Sequence, residues 1–300
     1  MKLREFARSL DLSPTTVSRA LNGYPEVAEA TRVRVAAAAT AAGYRPTPSA
    51  RALATGRTGT IGVPVVPRSA VAGDILAGAS EAAAAAGIDL ILGSGAARAD
   101  GLLRFGAADR DTARPAVTIG PATGTDSVER DHRGTAEMAV EHLGSLGHRR
   151  IAWLEGPWDR AAATARAAGA AMCLGRGWDV SLAATVSDPG PATASTVGAL
   201  LDRADPPTAI VAGSGRLVAG ILCALSARGM TAGRDLALVA IDDEGFDTGV
   251  TTLRTASDRV GRAAVDLLLA RLGTPDLRPR RVRVRPDLVL GGTTGPAPSS

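Results

Sequence analysis

The chain has 300 residues, 45% of them hydrophobic, so it is long enough and apolar enough to bury the core of one or two domains. This composition excludes wholesale disorder. No apolar run resembles a signal peptide or reaches the roughly 18 residues of a membrane span, so we expect a cytoplasmic protein. Cys173 and Cys223 lie in apolar stretches without the spacing of metal ligands, and we expect both to be buried, reduced thiols.

Positive charge is concentrated at the N-terminal end. The first 60 residues carry nine Lys or Arg and four Asp or Glu, a net charge of +5. The other 240 residues carry 25 basic and 26 acidic side chains, which nearly cancel. An anionic partner such as nucleic acid is therefore expected at the N-terminal fifth of the chain, and none in particular elsewhere.

Two short helices are predicted at the start of the chain. Apolar residues at helical spacing indicate a first helix over 3–10, after which Asp11 tolerates the left-handed backbone of a turn. Ser13 and Pro14 favour the start of a second helix, as its N-cap and first residue. Two helices joined by about three residues form a helix-turn-helix, whose second helix enters the DNA major groove.

The apolar positions predict how these helices pack. The second helix turns Val17 and Ala20 inward and shows a polar outer face, which taken alone is typical of an ordinary solvated surface. A third helix is predicted over about 28–42, before a terminating glycine. Its Val33 and Val35 are expected to cover the first two helices.

These features resemble the DNA-binding headpiece of LacI-type bacterial transcriptional repressors. The resemblance is carried by VSRALNG, by the acid-then-Thr-Arg opening of the third helix, and by GYRP. It implies that Arg19 could bind a guanine edge through two hydrogen bonds and that Thr15 also faces the bases. Thr16 and Ser18 are placed for phosphate oxygens. The predicted DNA-binding residues of the headpiece are Pro14, Thr15, Thr16, Ser18, Arg19 and Asn22.

The next segment, TPSARALATGRTGTIG, resembles the hinge of the same family, which becomes a short helix on the operator. The resemblance implies that Leu53 inserts into the minor groove and kinks the duplex, with Arg51 and Arg57 near the phosphates. The alternative is a flexible linker whose leucine packs on the larger domain.

From about residue 59, β-like apolar runs alternate with alanine-rich helical runs, which indicates parallel sheets with crossover helices. Segments such as ERDHRGTAEMAVEHLGSLGHRRIAWLEGP and RDLALVAIDDEG resemble the two-lobed, periplasmic-binding-protein-like domain of LacI-type repressors. The expected fold is an all-α helix-turn-helix headpiece followed by this α/β domain. The expected boundaries are 1–46 for the headpiece, 47–58 for the hinge and 59–300 for the α/β domain, with a first lobe of about 59–147 plus 257–272 and a second lobe of about 149–253 plus 277–293.

In the family a small effector lies between the lobes, where carboxylates and an arginine bind its hydroxyl groups. By the resemblance, Asp131, Arg166 and Asp242 occupy effector-binding positions. Each has a plain alternative, as a helix cap, a solvated charge and a turn residue respectively. Trp158 could stack on a sugar or cover the core. Ser214 is included in the effector set, although it begins a Ser-Gly pair where the family usually has Asn-Asp.

Two features of the first lobe depart from the family pattern. Pro64 lies inside the predicted strand TIGVPVV, where it removes a ladder hydrogen bond unless it stands at an edge or bulge. Only residues 93–99 separate the predicted strands IDLIL and ADGLLRF, whereas a parallel crossover needs about a dozen residues. Either these strands pair differently or a helical layer has been lost.

No catalytic or metal-binding constellation is present in the sequence, so neither enzymatic activity nor a cofactor is expected. The leading hypothesis is a homodimeric repressor that binds a near-palindromic DNA operator, with an affinity changed by a sugar or sugar derivative. One alternative is a constitutive DNA-binding regulator with a degenerate effector cleft. Another is a solute-binding receptor for transport, which the missing signal peptide and the DNA-binding headpiece disfavour.

Overall fold

The computed structural model describes residues 3–21, 23–43, 57–106, 114–156, 163–164, 167–168, 179–185, 190–242 and 249–298. Three helices form the headpiece: α1 (Leu3–Ser9), α2 (Pro14–Leu21) and α3 (Glu29–Ala41). They share a small core whose buried members are Phe6, Ala7, Val17, Ala20, Val27, Val35 and Ala39. The predicted helix-turn-helix is therefore confirmed.

Local signals set the turn and the packing of these helices. Asp11 has a φ of 54°, the left-handed conformation predicted for the turn. The expectation that Val33 covers the first two helices is wrong, because its side chain is 63% exposed while Val35 is fully buried. Two residues along a helix are separated by about 200°, so only one of them can face the core.

Within the described residues, twelve strands follow the headpiece. In chain order they are β1 (Thr60–Val63), β2 (Asp89–Leu92), β3 (Gly101–Phe105), β4 (Ala116–Ile119), β5 (Asp126–Arg130), β6 (Arg150–Glu155), β7 (Asp179–Thr185), β8 (Ala209–Ala212), β9 (Ala237–Ile241), β10 (Thr251–Arg254), β11 (Arg281–Val284) and β12 (Asp287–Val289). The helices among them are α4 (Ala70–Ala85), α5 (His132–Ser145), α6 (Pro191–Leu201), α7 (Val218–Ser226) and α8 (Ser257–Gly273).

The strands form two six-stranded sheets. The first has the order β11-β5-β4-β3-β1-β2 and is parallel throughout, and the second has the order β12-β10-β9-β8-β6-β7, with only β12 antiparallel to its neighbour. Helices α4 and α8 cover the first sheet. Because the carboxyl ends of parallel strands meet at one edge of a sheet, each lobe presents its loops to ligands there.

The first lobe is shortened between β2 and β3. Both strands pair with β1, on opposite sides, and a 3₁₀ helix (Gly93–Arg98) makes the connection where an α-helix would not fit. This helix lies directly on β1, since a Cβ at Gly62 would stand 2.9 Å from the backbone Cα of Ala96. A glycine in the strand thus permits an unusually short crossover.

Pro64 does not disturb the ladder. Strand β1 ends at Val63, so the proline follows the strand instead of interrupting it. The predicted strand was too long at this end, because apolar residues continue beyond the last paired residue.

The lobes are divided differently from the expectation at two segments. Helix α5, placed in the first lobe by the boundary at 147, packs its buried face on the second sheet, against residues that include Ile151 and Trp153. The segment 277–293 was assigned wholly to the second lobe, but its β11 pairs with β5 in the first sheet and only β12 joins the second. Cys223, expected to be buried, is exposed on α7; Cys173 lies outside the described residues.

Candidate DNA-binding surface and ligand cleft

The recognition helix α2 is anchored through its apolar face and its cap. The Ser13 hydroxyl accepts a hydrogen bond of 3.0 Å from the backbone N–H of Thr16, as the predicted N-cap should. Val17 is fully buried and Ala20 nearly so. The side chains on the opposite face therefore point away from the headpiece core.

Most of the predicted DNA-binding residues of the headpiece meet on one surface. A shallow concavity of about 400 Å³ is lined by Leu3, Pro14, Thr15, Ser18, Arg19 and Tyr24. Thr15 and Arg19 are exposed there. Thr16 is not part of this lining, and its hydroxyl is 2.8 Å from that of Ser13. Asn22 lies outside the described residues.

Tyr24 is a member of this surface that the sequence prediction missed. It follows the turn after α2, and Arg32 of α3 donates a hydrogen bond of 3.3 Å to its backbone carbonyl. Arg34 similarly donates to the carbonyl of Leu10, at 2.7 Å. Two arginines of α3 thus hold the turns on either side of the recognition helix. Tyr24 directly follows the VSRALNG segment, and this position is the sequence signal that could have identified it.

The end of the hinge is tied to the first lobe. The carboxylate of Asp100 accepts hydrogen bonds from the backbone N–H groups of Thr58, at 2.7 Å, and Gly59, at 2.8 Å. Burial raises the pKa of Asp100, but hydrogen bonds from Thr58 and Gly59 outweigh it, and the pKa lies below its ordinary value. Arg57, predicted near DNA phosphates, donates to the carbonyl of Leu272 at 2.9 Å. The other predicted hinge contacts, Arg51 and Leu53, lie outside the described residues.

A cavity of about 490 Å³ opens at the carboxyl ends of the first-sheet strands. Its apolar lining includes Ile75 of α4, Phe105, Ile119, Val128 and Val260 of α8. Its charged lining is formed by Glu129, Arg130, Asp131, Arg133, Arg281 and Arg283, with His132 beside them. A volume of several hundred Å³ suits a small organic ligand.

The two predicted effector carboxylates are already engaged within the protein. Asp131 lines the cavity and also caps α5, its Oδ1 accepting a 3.0 Å bond from the backbone N–H of Gly134. Asp242, with a φ of 53°, accepts from the backbone N–H of Thr255 at 2.8 Å. Its second oxygen forms an ion pair with Arg130 at 3.0 Å, which joins the end of β9 to the end of β5. Asp242 thus contacts a residue of the cavity without itself lining the described cavity.

Ser214 is the remaining effector candidate within the described residues. Ser214 caps the 3₁₀ helix Gly215–Leu217, its hydroxyl accepting a bond of 3.3 Å from the backbone N–H of Arg216. It is absent from the described lining. Trp158 and Arg166 lie outside the described residues.

A charged cluster at the cavity was missed by the sequence prediction. Glu129, 9% exposed, accepts hydrogen bonds of 2.8 Å from both Arg281 and Arg283. Burial raises the pKa of Glu129, but hydrogen bonds from these two arginines offset it, so the pKa lies below its ordinary value. The alternating RRVRVR segment, which predicts arginines on one face of a strand, was an available signal.

Neither a metal site nor a membrane span is found in the part of the chain that the structure describes. It contains no group of three or more His, Cys, Asp or Glu placed to hold a metal ion. Among the same residues, no helix has both the length and the apolar character needed to cross a membrane.

Comparison with known proteins identifies the family. The family "Bacterial regulatory proteins, lacI family" matches residues 2–47, and "Periplasmic binding protein-like domain" matches residues 140–294. The HTH-type transcriptional regulator AglR of Rhizobium meliloti (strain 1021) is 30% identical, over 99% of this chain and 95% of its own length. The chain belongs to the lacI family of bacterial regulatory proteins.

Solved structures of lacI-family proteins share the fold. The lac repressor dimer bound to operator and the anti-inducer ONPF is 24% identical, with a TM-score of 0.74, over 98% of this chain and 99% of that chain. The complex of the transcriptional regulator CelR with cellobiose has the same identity and coverage, with a TM-score of 0.64. The predicted fold class is confirmed, and the curated relatives of this lacI-family chain are HTH-type transcriptional regulators and repressors.

Proposed function

We propose that this protein is a homodimeric repressor that acts in the cytoplasm and binds a near-palindromic operator through two headpieces. A small ligand in the cleft, a sugar or sugar derivative, changes its operator affinity. The observation that carries this proposal is the exposed face of α2, where Thr15 and Arg19 project from a helix whose other face is fully packed. Relatives bind such partners: the lac repressor is seen on operator DNA, and CelR with cellobiose.

The chemistry of this face fits base recognition. An arginine guanidinium can donate two hydrogen bonds to the O6 and N7 of guanine in the major groove. Thr15 lies one helical turn before Arg19, so both side chains can face the same groove. The surplus of positive charge in the first 60 residues adds phosphate contacts, which do not depend on sequence.

The fold also offers a physical connection between ligand and DNA. Helix α8 lines the cavity through Val260, near its start, and accepts the hydrogen bond of Arg57 at Leu272, near its end. A ligand that shifts α8 would therefore move the attachment point of the hinge. By linkage, ligand and operator must change each other's affinity by the same factor.

A constitutive DNA-binding regulator is the second candidate. It is favoured by the ion pair between Asp242 and Arg130, which occupies a carboxylate that the effector would need. The absence of Ser214 from the described cavity lining agrees with this reading. Only a ligand-response experiment separates the two candidates, since both bind DNA.

The first test replaces Arg19 by lysine. Lysine keeps the charge but loses the two-pronged geometry, so we expect affinity for the preferred operator to fall by about 1–3 kcal/mol. Affinity for random DNA should change little. Operators would first be selected from a random library with the purified parent protein, and both affinities measured by gel shift. Equal loss on all sequences would show that Arg19 contacts only phosphate, and no loss would remove it from the interface.

The second test concerns Leu53, whose wedge role is implied by the family resemblance. We expect Leu53→Ala to weaken binding to the selected operator while the thermal unfolding transition stays in place, because the kink that the side chain supports would be lost. Gel-shift titrations of mutant and parent on the same fragment provide the measurement. Equal operator affinities would favour a hinge that is only a linker.

A further inference from the structure

The cavity of the first lobe is richer in positive charge and hydrogen-bond donors than a site for a neutral sugar requires. Among the described lining residues, four arginines face two carboxylates: Arg130, Arg133, Arg281 and Arg283 against Glu129 and Asp131. Each guanidinium carries five N–H donors and no acceptor. Arg130 and Arg133 also pair with carboxylates outside the lining, Asp242 at 3.0 Å and Glu137 at 3.3 Å. The excess of donors and of positive charge therefore lies at Arg281 and Arg283, which share Glu129.

The carboxylates that could bind hydroxyl groups are largely committed. Each oxygen of Glu129 accepts from one arginine, Oε2 from Arg281 and Oε1 from Arg283. Asp131 holds the first turn of α5 and lies 3.8 Å from the Nε of Arg285. Two guanidinium groups converge on a single carboxylate, which leaves that corner of the cavity with net positive charge.

The N-terminal ends of two helices add to the positive electrostatic potential of the cavity. The N-terminal turn of the 16-residue α4 reaches the lining, where Ser69 caps it by accepting a 3.2 Å bond from the backbone N–H of Ala72. The 17-residue α8 also presents its N-terminal part, through Val260. Helix N-termini carry partial positive charge and stabilise anions nearby. Apolar side chains in the lining lower the local dielectric constant, which strengthens these electrostatic interactions.

We propose that the ligand of this cavity is a sugar derivative bearing a phosphate or a carboxylate, and that Arg281 and Arg283 bind the anionic group. This inference rests on the proposed function, because it names the chemical class of the effector. Both arginines lie on β11, two residues apart and on one face of the strand, so both can donate hydrogen bonds to the same anion. Their side chains are 45% and 54% exposed, which leaves them accessible from the cavity.

The test compares matched ligands on the full chain. Glucose, galactose and mannose would each be titrated beside the corresponding 6-phosphate and uronic acid, with inorganic phosphate as a separate probe, by thermal shift and calorimetry. We expect at least one anionic member to bind more than about ten-fold tighter than its neutral parent, since hydrogen bonds to charged groups are the stronger ones. The phosphate and uronate arms show which anion the site takes.

Two variants are expected to change the affinity for the anionic ligand in opposite directions. Glu129→Gln removes the competing carboxylate and should tighten the anion, whereas a Glu129 that bound sugar hydroxyls would make the same change weaken binding. The triple variant Glu129→Gln, Arg281→Gln, Arg283→Gln leaves no unpaired buried charge at the cluster and should lose the anionic preference. Arg203→Gln, at an exposed arginine after α6 in the second lobe, is the matched control for loss of charge.

Three outcomes would overturn the proposal: equal binding of neutral and anionic partners, an anion response that survives the triple variant, or no response to any anionic probe. Operator gel shifts run in parallel distinguish failure of this proposal from failure of the proposed function. A neutral sugar that binds and changes operator affinity would leave the proposed function standing while removing the anionic class. A chain that binds no operator at all would refute the proposed function itself.

Discussion

Replacing Asp126 by asparagine is expected to lower the free energy of unfolding by about 3 kcal/mol, because it breaks a buried charge pair and leaves the arginine partner uncompensated. The Asp126 side chain is 1% exposed and receives hydrogen bonds from Arg271 Nε at 2.8 Å and Nη2 at 3.1 Å. The backbone N–H of Arg280 donates a third, at 2.7 Å. Urea titration measures the effect as a lower midpoint at an unchanged slope.

The matched control is Asp266→Asn, at an exposed position on α8. Surface substitutions of this kind usually change stability by less than about 0.5 kcal/mol, so the two variants should differ clearly. If Asp126→Asn lowered the free energy of unfolding no more than the control does, the Asp126–Arg271 pair would not stabilise the lobe.

The same pair makes stability depend on pH. Burial raises the pKa of Asp126, but the hydrogen bonds from Arg271 and Arg280 outweigh it, so the folded-state pKa lies below the ordinary value. A lowered folded pKa means that the unfolded chain binds the proton more readily. The contribution is therefore fully present above the ordinary aspartate pKa of about 3.9 and is lost as the pH falls towards the folded-state value.

This cluster also has a functional consequence. Besides Asp126, Arg271 donates to the backbone carbonyls of Pro275, Leu277 and Arg278. It thereby fixes the connection between α8 and β11. Since β11 carries the arginines of the cavity, loss of the pair should disturb ligand binding together with stability.

The substitution Gly261→Ala is expected to cost about 3 kcal/mol, at the upper end for an overpacked contact, because the two helices have no room for a side chain there. A Cβ at Gly261 would collide with the carbonyl oxygen of Ile75 and lie 2.6 Å from the backbone N of Ala79. Gly78 of α4 meets Asp258 of α8 in the same way. Backbone contact of this kind cannot relax by moving a side chain.

A control substitution that should stabilise the protein is available on α4. Gly73 is exposed and has nothing within 4 Å of an added Cβ, so Gly73→Ala should stabilise the protein by about 0.5–1 kcal/mol. Thermal or urea unfolding of both variants gives the comparison. A neutral Gly261→Ala would show that α4 and α8 can separate without loss, which would weaken the case for α8 as the connection between cavity and hinge. Since Ile75 lines the cavity, the ligand response should fall together with stability.

The headpiece was predictable because its signals are local. The Ser13 cap, the left-handed turn at Asp11 and the helical spacing of Val17 and Ala20 are all encoded within a few residues. Among the described headpiece residues, Val33 was misplaced, since two valines at i and i+2 cannot share a face. Long, periodic apolar runs similarly indicated the α/β class.

The errors in the larger domain involve contacts between distant residues. Periodicity gave α5 an apolar face but could not say which sheet it covers, and the short crossover depends on the fit between Gly62 and Ala96. Asp131 and Asp242 do follow the ends of β5 and β9, but only Asp131 lines the described cavity, and their role in effector binding stays a prediction. The partner of Asp242 could not be predicted, because Arg130 lies 112 positions away in the chain. The pairing of Glu129 with Arg283 was missed for the same reason, since the two are 154 positions apart.

The proposed control of operator binding by a ligand in the cleft can be tested directly. The most direct measurement is the equilibrium affinity of the full chain for its selected operator, at fixed salt, with and without saturating amounts of a ligand that raises its thermal stability. We expect operator affinity to change by at least about five-fold, the lower range of allosteric coupling. An operator affinity that stays the same with the cleft saturated would contradict it and establish the constitutive regulator instead.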